Sequence, residues 1–565
     1  MNDKLQIVSG LLGSLAIFIY GMSMMSECLQ KAAGERMKQI LSLLTRNPVA
    51  AALLGVLVTA VLQSSSAVTV MAIGFVSAGL MTLPQAISII FGANIGTTVT
   101  AQVIAFRLSD YIYLIIFAGF ALYHAGRRER IKQIGQTVFA FGLLFLGIET
   151  MGSVLKPLAS SPVFADMIRQ VADRPVLGVV AGTLMTLVVQ SSSATIAVLQ
   201  NLASQTGADG VSSVVGLAGA IPILLGDNIG TTITALIASV GQTRDAKRTA
   251  LAHCVFNMSG MLLFIWFIHP FAALIRGISP KGPETEVIAR QIANAHTVFN
   301  LVTALIWIPL IAVMVRIVMV LIPDAGQEKA DTTGLLYLDE NMISQPAAAL
   351  QMAAREVLHC ADITGRGLHL IAGEKWTENK EMLDGISKES RAVSKLYEKI
   401  SGYLSELFAS GGLTESQAAH GAGLLYVLED IERLAYLSGE VADNLKEHAA
   451  KENRYSQEAM GDLRQSLSLL EEMFRETVRI LRAGDRERAG ILEEQRDRML
   501  DLDIRMRKEH ARRVKEGNCR ADLTEPFAQI LHSVGRMGNA CVNIADAVTS
   551  GMHFEYFLEG DPGKG

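Results

Sequence analysis

The sequence predicts an all-α protein. A polytopic membrane domain with duplicated, inverted repeats containing re-entrant QSSS helical hairpins is followed by a soluble helical-bundle domain. Three observations lead there. Residues 1–323 are dominated by apolar stretches long enough to cross a bilayer, which takes about 20 residues each. The polar tetrad Gln63-Ser64-Ser65-Ser66 interrupts one such region and returns 127 residues later as Gln190-Ser191-Ser192-Ser193. Charge then splits the chain. Residues 1–323 hold 13 of the 55 acidic and 20 of the 50 basic residues, a charge of +7. The other 42 acids and 30 bases give residues 324–565 a charge of −12.

At the start, Met1–Lys4 and the apolar Leu5–Tyr20 superficially suit a signal peptide. No small-residue cleavage site follows, and a retained first membrane segment is expected. The match between the two tetrads extends well beyond them. Arg46-Asn47-Pro48 precedes the first and Arg174-Pro175 the second, each Pro 15 residues before its Gln. Gly55 falls on Gly182, Thr59 on Thr186, and Phe18-Ile19-Tyr20-Gly21 on Leu144-Phe145-Leu146-Gly147. Downstream, Gly92-Ala93-Asn94-Ile95-Gly96-Thr97-Thr98 matches Gly226-Asp227-Asn228-Ile229-Gly230-Thr231-Thr232. Three anchors in one order mark a duplication. The expected layout is a transport domain over 1–323, with repeat one at about 7–125, repeat two at about 134–245 and additional spans at about 249–322. A linker over 324–335 and a helical domain over 336–560 follow.

Segment lengths predict shape. Ala50–Leu62 and Ala67–Met81 flank the first tetrad, and Val176–Val189 and Ala194–Ala203 the second. At 1.5 Å per residue such arms reach only about 20 Å, short of the roughly 30 Å hydrocarbon core. Each pair therefore reads as a re-entrant hairpin with QSSS at its tip, allowed only where protein or a water-filled cavity surrounds it. The Asn-Gly-Thr elements read as breaks in single spans, with Asn94 as an N-cap of the second piece.

Polar groups at this depth, in matched positions of two halves, point to a solute pathway. Helix N-termini at the Ser tips and at Asn94 and Asn228 favour an anion. Amide and hydroxyl oxygens of Gln63, Gln190, Thr97, Thr98, Thr231 and Thr232 suit a small cation. Asp227 stands where repeat one has Ala93. It can ligand a cation, relay a proton or cap a broken helix. Substrate contacts are thus expected from Ser64, Ser65, Ser66, Ser191, Ser192, Ser193, Asn94 and Asn228, and cation contacts from the Gln, Thr and Asp residues. Ala252-His253-Cys254-Val255-Phe256-Asn257 and Ala295-His296-Thr297-Val298-Phe299-Asn300 form a further pair, expected to lock two spans together by interhelical hydrogen bonds. Glu149 is a structural partner or minor site candidate.

No catalytic residue, metal site or bound cofactor is expected. The serines lack a partnered base, and Cys28, Cys254, Cys360, Cys519 and Cys541 are scattered without a CxxC pair. The basic loops Arg127-Arg128-Glu129-Arg130-Ile131-Lys132 and Arg244-Asp245-Ala246-Lys247-Arg248 place those ends, and the hydrophilic tail, in the cytoplasm of an inner-membrane protein.

With the paired QSSS, the GANIGTT and GDNIGTT elements and the two AHxxFN segments, residues 7–322 resemble the sodium-dependent phosphate cotransporter family. The resemblance implies inverted repeats holding sodium and phosphate between the hairpins. Gln63, Gln190, both serine triplets and Thr97, Thr98, Thr231 and Thr232 would line that site. The word phosphate comes from this resemblance; the residues alone reach an anion with a cation. Beyond about residue 333, Asp430-Ile431-Glu432-Arg433 and Gly535-Arg536-Met537 lie in amphipathic helices resembling a PhoU-like domain, a pair of three-helix bundles. Tyr436, Gly535 and Asn539 replace acids of that family's metal pattern.

The expected function is sodium-coupled phosphate transport by alternating access, modulated by the helical domain. The alternatives are a phosphate exporter, a proton-coupled anion transporter, or a membrane-anchored sensor without transport. Expected partners are inorganic phosphate, sodium as coupling ion and the lipid bilayer, without nucleic acid, leaving room for a homo-oligomer.

Overall fold

The computed structural model describes residues 3–42, 47–106, 108, 111–159, 174–207, 209–323, 334–343, 345–373, 380–449, 455–483 and 488–549. Arg46, most of the expected linker and the end of the expected tail domain lie outside the described residues. Contacts divide the chain into two compact units, Met1–Ala325 and Gly326–Gly565. Among the described residues there is no strand, only an isolated bridge between Thr206 and Ser213.

The first unit runs α1 (Asp3–Ser42), α2 (Pro48–Leu62), α3 (Ser65–Ser77), α4 (Leu83–Ile104), α5 (Ile112–Ala125) and α6 (Glu129–Ala159). It continues α7 (Pro175–Val189), α8 (Ser192–Ala203), α9 (Gly216–Ala238), α10 (Arg244–Phe264), α11 (Ile268–Ile278), α12 (Glu284–Trp307) and α13 (Ile311–Leu321). Among the described residues, five segments are long and apolar enough to cross a membrane, or six if α12 and α13, bent by 85°, form one broken span. The arms α2, α3, α7 and α8 hold 15, 13, 15 and 12 residues. At 1.5 Å per residue none exceeds roughly 23 Å.

Each hairpin packs on the long helix that follows it, α2 on α4 and α7 on α9. Glycine decides how closely. A Cβ on Gly92 would sit 1.8 Å from the Ala52 carbonyl oxygen, and one on Gly55 2.2 Å from that of Ile89. Repeat two has the same contacts, Gly226 with Val179 at 2.0 Å and Gly182 with Ile223 at 2.0 Å. Small residues let backbones meet in this way where lipid supplies no hydrophobic drive. This overturns the expected breaks at residues 92–98 and 226–232. Both α4 and α9 run unbroken through them, because the glycines serve close packing rather than a bend.

Contacts between repeats are reciprocal. A Cβ on Gly21 of α1 would meet the Leu144 nitrogen of α6 at 2.7 Å, and one on Gly147 would meet that of Phe18 at 2.6 Å. The second hairpin arms exchange neighbours: α3 also packs on α9, and α8 on α4. Gln200 of α8 donates to the Ala101 carbonyl of α4 at 3.2 Å. Near the end of the unit, buried Arg248 donates to the Ile322 carbonyl at 2.9 Å and Arg244 to that of Pro323, holding the C-terminus of α13 against α10.

The second unit contains α14 (Pro346–Ala372), α15 (Lys380–Ala409), α16 (Glu415–Ala449), α17 (Gln457–Ala483), α18 (Ala489–Lys515) and α19 (Thr524–Thr549). α14 to α16 form one three-helix bundle and α17 to α19 another, joined through α16 on α19 and α14 on α17. Asp430 accepts from Arg433 at 3.2 Å and Asn543 at 3.5 Å, and burial pushes its carboxyl up. No cluster of three or more His, Cys, Asp or Glu able to hold a metal occurs among the described residues. Fully buried Glu356 accepts from the backbone N–H groups of Leu336, Tyr337 and Leu338 at 2.7–3.2 Å, tying the segment before α14 to that helix.

Glu356→Ala orphans those three donors and is expected to cost the second unit roughly 2–4 kcal/mol, read as a lowered unfolding transition of the full chain. Gly92→Ala pushes a methyl into the α2 backbone and costs about 1–3 kcal/mol or more. Thermal unfolding in detergent checks this, and Gly79→Ala, where nothing lies within 4 Å of the new methyl, measures the cost of left-handed backbone alone.

Candidate functional site

Both hairpins turn at glutamine. Gln63 (φ 54, ψ 25) and Gln190 (φ 57, ψ 22) are the two non-glycine residues with positive φ among those described. A left-handed residue costs of order 1–3 kcal/mol and persists where its surroundings over-determine it. Here the glutamine closes the preceding helix with its own groups. The Gln63 nitrogen donates to the Thr59 carbonyl at 2.7 Å and Nε2 to that of Ala60 at 2.5 Å. Ser26 of α1 donates to the Leu62 carbonyl at 2.5 Å, so most of the helix's orphan acceptors are filled. Gln190 repeats the first two bonds, to Thr186 at 2.8 Å and Leu187 at 2.6 Å.

The glutamine carbonyl oxygens face the following long helices. Gln63 Oε1 accepts from Thr100 at 2.8 Å, and Gln190 Oε1 from Thr234 at 3.3 Å. These two threonines escaped the sequence reading. The signal was present, since the match runs on two residues as Val99-Thr100 and Ile233-Thr234.

The serines open the next helices. Ser64 is the N-cap of α3, its hydroxyl accepting from the Ala67 nitrogen at 3.2 Å; Ser191 caps α8 and accepts from that of Ala194 at 3.3 Å. Ser65 and Ser66, with Ser192 and Ser193, form the first turns, where backbone N–H groups have no intrahelical acceptor. Ser65 and Ser193 are buried; Ser64, Ser66, Ser191 and Ser192 are half-buried. Each tip therefore presents a helix N-terminus, an arrangement suited to an oxyanion.

The other candidates lie inside the long helices. Asn94 is no N-cap: its Nδ2 donates to the Ile90 carbonyl at 2.8 Å, while Oδ1 faces His253 Nε2 at 3.3 Å and Asn257 Nδ2 at 3.4 Å. Asn228 repeats this with Leu224 at 2.9 Å, His296 at 3.4 Å and Asn300 at 3.3 Å. The two AHxxFN segments thus bond not to each other but each to the asparagine of one repeat. Thr97, Thr98, Thr231 and Thr232 are buried and donate to their own helix's carbonyls at 2.7–3.1 Å, leaving hydroxyl lone pairs free to accept. Asp227, fully buried, accepts from Thr186 at 2.6 Å. With α9 continuous it caps nothing. Glu149 is exposed on α6.

The family model described as Na+/Pi-cotransporter matches twice, over residues 17–153 and 149–279, and a PhoU domain model matches 463–548. Among relatives, "Uncharacterized protein YqeW" of Bacillus subtilis is 33% identical over 309 residues, 55% of this chain and 96% of its own length. "Putative inorganic phosphate export protein YjbB" of Escherichia coli is 24% identical over 548 residues, 95% of this chain and 96% of its own. "Sodium-dependent phosphate transport protein 2A" of Rattus norvegicus is 38% identical over 107 residues, 19% of this chain and 17% of its own.

The Asn94 bonds generate a test. Asn94→Leu removes the acceptor shared by His253 Nε2 and Asn257 Nδ2, and a double-mutant cycle with His253→Phe is expected to show a coupling of about 0.5–2 kcal/mol in thermal unfolding without phosphate. A coupling near zero removes the pairing.

Proposed function

This chain belongs to the Na+/Pi-cotransporter family, and from that premise we propose that it carries inorganic phosphate across the inner membrane with sodium. The observation that supports this most is the pair of QSSS tips, alike down to the left-handed glutamine. Each tip offers two serine N–H groups and hydroxyls to an oxyanion. In this reading the Gln63 or Gln190 amide oxygen and the Thr97–Thr98 or Thr231–Thr232 hydroxyls supply oxygen ligands for sodium. As a member of a transport family the chain is no enzyme.

The reciprocal contacts between repeats suit inverted repeats with re-entrant hairpins. In this reading alternating access rocks one repeat against the other around the tips. The basic ends at Arg127–Lys132 and Arg244–Arg248 face the cytoplasm, as does the second unit, which modulates transport. Net direction follows the gradients. Export is the second reading, favoured by the full-length likeness to a protein named for phosphate export.

Labelled phosphate flux in proteoliposomes, with sodium and pH gradients imposed separately, tests the proposal. Flux driven by sodium alone is the expected result. Ser192→Trp fills the first turn of α8 and is expected to cut uptake at least tenfold with the unfolding transition retained; normal uptake by the folded variant would sink the assignment. Flux of no anion under any gradient leaves the sensor.

A further inference from the structure

Helices α1 and α5 both pack on α6. Glycine brings the second pair together: a Cβ on Gly119 would sit 2.3 Å from the Phe139 nitrogen, and one on Gly135 2.4 Å from that of Tyr123. Beside this close crossing, Phe120, Tyr123 and His124 of α5, Gln136 and Phe139 of α6 and Met24 of α1 line an open cavity of about 230 Å³. The His124 ring lies 4.5 Å from Phe120 and 5.4 Å from Tyr123, so one wall is aromatic.

The two spans on either side give the depth of this groove. The apolar stretch of α1 ends at Leu29 and that of α6 begins at Ile131. Met24 stands five residues before Leu29 and Gln136 five after Ile131, about 8 Å inside each limit at 1.5 Å per residue. The groove therefore opens where acyl chains give way to headgroups, the level at which amphipathic aromatic side chains collect.

The rim beyond it is basic. Helix α5 ends at Ala125, and Arg127, Arg128, Arg130 and Lys132 follow against one acid, Glu129. Arg127 and Arg128 are exposed, and no ion pair or hydrogen bond engages them among the described residues. The Tyr123 hydroxyl, the His124 imidazole and the Gln136 amide make no hydrogen bond there either, which leaves donors between the aromatic wall and the arginines. At about 230 Å³ the cavity falls below the roughly 300–1,000 Å³ of a pocket that encloses a small molecule. It suits one stretch of a longer molecule whose remainder lies in the bilayer.

We propose that the groove between α1 and α5 binds an anionic phospholipid of the cytoplasmic leaflet. The upper acyl chain and glycerol lie against Met24, Phe120 and Phe139, and the phosphate oxygens meet Arg127 and Arg128. Basic pockets between spans on the cytoplasmic side hold such headgroups. A zwitterionic lipid carries its own cation beside the phosphate and gains less from the two arginines. The site shares no residue with the QSSS tips. It has in common with the transport reading only the cytoplasmic side assigned to the basic loop.

Native mass spectrometry of the purified full chain tests this, with phosphatidylglycerol or phosphatidylcholine of the same acyl chains added. The expected result is a preference of about fivefold or more for phosphatidylglycerol, lost in Arg127→Gln/Arg128→Gln. Phe120→Ala is expected to weaken binding of phosphatidylglycerol as well. A control, Arg276→Gln/Arg316→Gln, removes the same charge from exposed positions on α11 and α13 and is expected to bind like the wild type. Both double variants change exposed side chains, and their unfolding transitions are expected to match that of the wild type. Equal binding of the two lipids, a preference kept in Arg127→Gln/Arg128→Gln, or the same loss in the control overturns the proposal. So does displacement of phosphatidylglycerol by inorganic phosphate but not by sulfate, which gives the arginines to free phosphate. A dimer that dissociates in Phe120→Ala puts a second copy in the groove and overturns it too. No phosphate flux enters the measurement, so its failure leaves the transport reading standing.

Discussion

A helix that ends and reverses within two residues needs somewhere to put its last carbonyls, and the hairpins of the first unit depend on how Gln63 and Gln190 solve this. Each adopts a left-handed conformation, closes the helix with its own nitrogen and reaches back with its side-chain amide. The chain can then reverse within two residues and restart under a serine cap. A glycine would turn as readily, but it would leave the Ala60 or Leu187 carbonyl unfilled and the Thr100 or Thr234 hydroxyl without its acceptor. The polar tetrad is therefore turn and cap at once.

That solution demands close support. The hairpins lie so near the following helices that Gly55, Gly92, Gly182 and Gly226 admit no side chain. Both α4 and α9 run unbroken along this packing, so their polar residues meet other helices rather than a break. Asn94 and Asn228 become docking points for α10 and α12, and the four threonines bond to their own turns. The outcome is a closely packed frame around two tips.

Symmetry is close and incomplete. Glycine contacts, glutamine conformations, serine caps and His–Asn pairs recur in both halves at comparable distances. Asp227 breaks the pattern. Repeats sharing one backbone thus differ in the buried polar groups they carry.

Much of this was legible in order along the chain. Apolar length, the doubled tetrad and the charge split carry the helical fold and the short arms, because lipid leaves a helix few choices of length or polarity. The helix N-termini at the serines were legible as well; the left-handed glutamine was not, because nothing in a Gln side chain marks a positive φ. The partners of Asn94, Asn228 and Asp227 were not legible. A glycine-rich polar stretch reads equally as a break or as a close crossing, and only the approach of a second helix decides which. His253 and Asn94 are 159 residues apart, as are no two residues that local sequence can relate. By itself the sequence determined the helical class, the short arms and the doubled polar reversal; the tertiary structure decided that α4 and α9 run on through their glycine-rich stretches and which polar groups face one another, since both depend on backbone distances that glycine permits and packing sets.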